Sequence, residues 1–225
     1  MQKDNGARYY RLSLNHARTY IDNRFIYYDI LKKCGMHYDF SLTKKFLTEC
    51  ATYFESINNT FLAAEVYVNL GTEIMFNQME DHKTAYIYLN QAIRIFEDEP
   101  NQHLSYAQNN LAIYQILYNN DMEDAEDLLE RSLLVGISDF TYMTILLNLA
   151  MCRLKKLGGN SPEFQDTYNK FIVYYSQIKL RKQATQYEDI YKTLLDIIVI
   201  EDAGNMEMAY LEAKSLQSEL LPTVL

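Results

Sequence analysis

Tryptophan is absent from this 225-residue sequence, and proline and glycine are scarce, at three and seven. Few turn-formers leave few places for the chain to reverse, which favours helices over short strands. The three cysteines, Cys34, Cys50 and Cys152, are far apart and odd in number. They fit reduced thiols of a cytoplasm better than a disulfide framework. The longest apolar stretch, Leu194 to Ile200, is interrupted by Asp196. It falls well short of the ~20 residues of a membrane helix. The opening residues, Met1 to Gly6, lack the apolar core of a signal peptide. A cytoplasmic protein without membrane contact is expected.

Positive charge is also in short supply. Lys and Arg number 21 against 30 Asp and Glu, a formal net charge of −9, and no Lys/Arg run exceeds two residues. Such a chain gains nothing from phosphate counterion release, so no nucleic-acid partner is expected. The four histidines, His16, His37, His82 and His103, show no metal-ligand spacing. No Cys–His pairing, Gly-rich phosphate loop or Gly-x-Ser-x-Gly elbow is present. The expectation is a non-enzymatic protein with no catalytic residue, no metal and no cofactor.

What the chain has is helical rhythm. The hydrophobic share of 48% excludes a disordered chain. Apolar residues recur at helical spacing over 7–33, 41–56, 61–78, 83–97, 103–119, 122–135, 140–157, 162–178, 183–202 and on to about 220. Cys34-Gly35 reads as a C-cap for the first stretch. Asp39 or Ser41, Ser138 or Asp139, and Ser161 read as N-caps, the last with Pro162 at the first helical position. Pro100 closes one helix and Pro222 lies beyond the last. This makes about ten helices and leaves no segment that needs a strand.

A feature also repeats. Asn69-Leu70-Gly71, Asn110-Leu111-Ala112 and Asn148-Leu149-Ala150 are spaced by 41 and then 38 residues. A period near forty indicates stacked helical hairpins. Two helices of a hairpin cross closely only where small residues meet. Gly71, Ala112 and Ala150 are expected to face Ala85, Ala125 and, as an exception, Phe164. Asn109-Asn110-Leu111-Ala112 followed by Ala125-Glu126-Asp127-Leu128-Leu129-Glu130-Arg131-Ser132-Leu133 resembles the tetratricopeptide repeat, in the longer variety of kinesin light chains. The resemblance is well covered over roughly 61–160 and fades towards both ends. It implies an all-α solenoid of antiparallel hairpins over 1–225 as a single domain. Residues 1–60 form a divergent N-terminal hairpin, 61–180 the best-matching repeats, and 181–225 a divergent capping hairpin.

In such an array the first helices line a concave groove. Residues sharing the face of each Asn are then candidate binding residues. Around Asn69 these are Glu65, Val68, Thr72, Met75 and Phe76. Around Asn110 they are Tyr106, Asn109, Ile113, Ile116 and Leu117. Around Asn148 they are Thr144, Leu147, Met151, Leu154 and Lys155. An amide both donates and accepts, so it can grip a peptide backbone of any sequence, while apolar neighbours take ligand side chains. Against this stands the reading that each amide bonds a neighbouring helix and meets no ligand. The twenty tyrosines read as packing residues with one wet end. A base-stacking platform is the sharper alternative, and the acidic balance opposes it. Glu123-Asp124-Ala125-Glu126-Asp127 reads as the solvated start of a helix rather than a metal site.

The expected function is a scaffold that holds a protein or peptide segment in this groove. Two alternatives share the fold. One is the sensor domain of a larger signalling protein of bacterial type. The other is a structural module whose groove is filled by the protein's own helix or by a second copy, as in a homodimer.

Overall fold

The computed structural model describes residues 2–36, 38–78, 81–180, 193 and 196. These residues form nine α-helices, one π-helical turn and no strand. In chain order the helices are α1 (Gln2–Tyr20), α2 (Arg24–Gly35), α3 (Phe40–Ser56), α4 (Thr60–Asn77), α5 (His82–Glu97) and α6 (Gln102–Tyr114). The π turn Gln115–Asn119 follows, and then α7 (Met122–Ser132), α8 (Asp139–Leu157) and α9 (Pro162–Leu180). The helices expected over 183–202 and up to about 220 lie outside the described residues. Among the described residues no helix is long and apolar enough to cross a membrane.

Side-chain caps explain most boundaries. Asp39, Asn59, Asp121 and Ser138 each accept a backbone N–H from the first turn of the helix they precede. Ser161 Oγ accepts from Phe164 N at 3.1 Å. At the far end of α8, Gly158 takes φ 83°, a left-handed conformation that suits glycine, and its N–H reaches Leu154 O at 2.9 Å. Several boundaries differ from expectation, among them the end of α7, at Ser132 rather than 135. The stretch 7–33 is two helices, because Asn23 Oδ1 caps Phe25 N and Ile26 N and restarts the chain. Gly35 belongs to the last turn of α2, and Met36 is its C-cap in ordinary helical geometry. The stretch 103–119 changes from α to π at Gln115. Its amide donates to Asp124 and accepts from Asn119, and its carbonyl takes Asp121 N–H at 3.2 Å.

The described chain divides into two compact units, one up to Tyr114 and one from Gln115 onward. In the first, each of α1 to α5 packs on the helix that follows it, and α4 also touches α6. Phe61 meets Phe96, Tyr67 stacks on Tyr88 and Gly71 approaches Ala85, so α4 and α5 run antiparallel. Phe25 with Phe54 and Tyr28 with Tyr53 give the same sense to α2 and α3. Leu14, Leu31, Phe46, Leu47, Cys50, Phe54, Val66 and Leu70 share one core. Cys50 and Cys34 are buried in it, and burial pushes the Cys50 thiol up to about 12.

The second unit contains the π turn and α7 to α9. Ala150 and Phe164 share its core with Met143, Leu146, Leu154, Phe171, Tyr175 and Ile178. Tyr142 packs on Tyr174, while Arg153 reaches Glu163 O and Thr167, so α8 and α9 are antiparallel. Arg153 Nε also donates to Glu126 Oε1 at 2.7 Å, and its Nη2 to Glu130 on α7. Lys156 reaches Glu126 Oε2 at 3.0 Å. Cys152 is buried beside them, and burial pushes its thiol up to about 11.

Gly71 leaves no spare room. A Cβ there would lie 2.8 Å from Leu89 Cγ and 3.1 Å from Ala85 O. Gly71→Val is expected to destabilise the protein by about 1–3 kcal/mol in denaturant melts, through overpacking of the α4–α5 contact. An unchanged midpoint would show that the two helices can part at no cost. Glu126 makes a pH prediction. Burial pushes its carboxyl up, but hydrogen bonds from Arg153 and Lys156 outweigh that and hold it below the usual carboxylate range. A group depressed in the folded state contributes its stability above its unfolded pKa and loses it as pH falls through the folded one. Glu126→Gln should therefore flatten part of the acid limb of a stability–pH curve below the ordinary carboxylate range. A limb unchanged in slope would remove Glu126 from the account.

Candidate functional site

Four residues of α4, Glu65, Val68, Asn69 and Thr72, follow one another at steps of three, one and three, and so share a face. On α6, His103, Tyr106 and Asn110 do the same at steps of three and four. With Met36, from the end of α2, these seven residues line one cleft of about 400 Å³ within the first unit.

Glu65 anchors the cleft. Lys32 on α2, 8% exposed, donates its Nζ to Glu65 Oε2, and Asp29 Oδ1 stands 3.7 Å from the same nitrogen. His103 Nε2 lies 3.1 Å from Glu65 Oε1. The imidazole is also stacked on Phe96, with Phe61 and Tyr106 at its edges. Helices α2, α4 and α6 therefore meet on one carboxylate. Little charge is left uncompensated on the cleft wall, since Glu65 is matched by Lys32 and flanked by His103.

The amides differ from one another. Asn110 Nδ2 donates to Thr72 Oγ1 at 2.8 Å, and Thr72 Oγ1 in turn donates to Val68 O at 2.7 Å. Asn110 Oδ1 accepts from Asn109 Nδ2 at 3.2 Å. Asn110 is thus committed to tying α6 to α4. The side chain of Asn69, half-buried on the same wall, has no hydrogen-bond partner among the described residues. Its donor and its acceptor are both open to an incoming backbone.

Of the residues singled out by spacing, the cleft brings together Glu65, Val68, Asn69, Thr72, Tyr106 and Asn110. Asn109 is buried beside Asn110. Phe76 and Ile113 lie one turn further along α4 and α6, Phe76 being 56% exposed and Ile113 half-buried. Met75 turns into the core and is only 1% exposed, which corrects its placement on the groove face. Asn148, Thr144, Met151 and Lys155 belong to the second unit, where they share one face of α8. The first three are half-buried and Lys155 is exposed. Thr144 Oγ1 donates to Phe140 O at 3.0 Å. Leu117 is exposed on the π turn of that unit.

Sequence reasoning overlooked Lys32, His103 and Met36. His103 carried a usable signal, since it stands three residues before Tyr106 and seven before Asn110. Lys32 and Met36 carried none, because their place depends on how α2 packs. Among the described residues no three His, Cys, Asp or Glu side chains gather in a metal-binding arrangement. No protein-family model matches the chain, and no curated protein matches it.

The contrast between the two amides can be measured. Asn110→Ala leaves Thr72 without its donor and is expected to cost about 0.5–1.5 kcal/mol in a denaturant melt. Asn69→Ala breaks nothing in the free protein and is expected to stay within about 0.5 kcal/mol of it. Equal losses in the two variants would contradict the assignment.

Proposed function

We propose that the chain is a tetratricopeptide-like stack of helical hairpins that holds a segment of another protein, or a peptide, in the cleft between α4 and α6. The observation that carries this reading is the convergence of Asn69, Val68, Tyr106 and Met36 around one opening, with Asn69 unpartnered. The contact of α4 with α6 supports the repeat, because alternate helices touch when hairpins stack in register. Bound ligand would run extended along α4. Its backbone would meet the Asn69 amide, and an aliphatic side chain would rest against Val68, Met36 and Tyr106. The neutralised Glu65 cluster favours an uncharged segment at this point, since a ligand charge would find no free counter-charge in the wall.

The proposed role is non-catalytic and calls for no cofactor. A sensor domain of a larger protein would use the same cleft in the same way, so the test does not depend on which protein carries it. Peptide display against the full chain should select segments with an aliphatic anchor. Asn69→Ala, and separately Val68→Glu, should weaken the selected peptides by about tenfold or more. Selected peptides that bind both variants as well as the native chain would dismiss this cleft as the binding site.

A further inference from the structure

We propose a second binding site, at the α1–α2 end of the first unit, for a carboxylate-rich segment of a partner protein. The argument begins with an uneven charge. Residues 1–45 carry nine Lys and Arg against four Asp, whereas 46–225 carry twelve against twenty-six Asp and Glu. An acidic protein thus has one basic end.

Five of these nine cations fall into two groups. Lys32, Lys33 and Lys44 are committed to Asp29, Glu65 or Asp81. Arg18 and Arg24 form no ion pair with any described carboxylate, and both line one open cleft of about 700 Å³ with Ile21, Asp22, Tyr27 and Tyr28. Arg18 is held by neutral contacts alone. Its Nε donates to Tyr27 Oη at 3.3 Å, and its guanidinium stands 5.3 Å from the Phe46 ring. Those contacts orient the side chain without consuming its charge, and its two Nη groups remain for a ligand. Arg24 lies in the first turn of α2, where a cation opposes the helix dipole. An anion in the cleft relieves that opposition.

Two guanidiniums in one concave site suit carboxylates, which they grip through paired N–H donors. A phosphate polymer fits less well. Asp22 stands on the same rim, and the rest of the chain is strongly acidic, so a continuous line of negative charge is repelled. Carboxylates spaced by neutral residues meet the two arginines and leave Asp22 in water. The site is separate from the α4–α6 cleft and does not depend on the reading given to it.

Fluorescence anisotropy on the full chain tests the proposal. The probes are a labelled peptide of alternating Glu and Ser, about twelve residues long, and an oligothymidylate of equal length. The peptide is expected to bind, and to release as salt rises past the point where the Debye length is about 10 Å. Arg18→Gln with Arg24→Gln should weaken it about tenfold or more, and Arg24→Glu should weaken it further than Arg24→Gln. Lys170→Gln on α9 and Asn69→Ala in the other cleft should leave it unchanged, with circular dichroism melts confirming the fold of each variant. The proposal is overturned by a native chain that ignores the peptide, by arginine variants that bind it equally, by loss in Asn69→Ala, or by tighter binding of the oligothymidylate.

Discussion

The cleft between α4 and α6 depends on one carboxylate. Glu65 sits on α4 with Lys32 of α2 on one oxygen and His103 of α6 on the other. A carboxylate withdrawn from water costs free energy unless its partners are close, and here they come from two other helices. The cluster therefore fixes the positions of three helices at once. Asn110 adds a neutral tie between α6 and α4 through Thr72. With both in place, the wall of the cleft is set before any ligand arrives, and little ordering is left for binding to cost.

The same wall shows why two similar amides need not act alike. Asn69 and Asn110 occupy equivalent positions in a repeated motif. Asn110 has a threonine within reach on α4, and Asn69 has no described partner at all. A repeat supplies position, while the neighbouring helix decides whether the position is spent on structure. Thr72, which looks like a groove residue by spacing, is the residue that converts Asn110 into a fastening. The distinction arises from a pair 38 residues apart, and no local pattern carries it.

Much of the helical layout was legible because its signals are local. Asp39, Ser138, Ser161 and Pro162 announce helix starts through chemistry contained within three residues. The break at 21–23 was not legible, since the apolar rhythm runs through Ile21, Phe25 and Tyr28 as if the helix continued. Only Asn23 marks the break, and its cap prevailed over the rhythm. The π turn at Gln115 was hidden for a related reason: its cause is a side-chain amide meeting Asp124 and Asn119 across the following turn. Glu65, Thr72, Tyr106 and Asn110 could be grouped from helical spacing alone. Lys32 and Met36 reach the same cleft from α2, and only tertiary packing brings them there.

The three thiols have a practical consequence. All are buried, and burial pushes each thiol up, Cys50 to about 12 and Cys152 to about 11, which disfavours the thiolate that labelling reagents attack. The native cysteines are therefore poor targets for a labelling reagent. One cysteine introduced on an exposed face would be the sole fast-reacting handle. A fluorophore or spin label could then be placed beside either cleft without first replacing core residues that the packing needs.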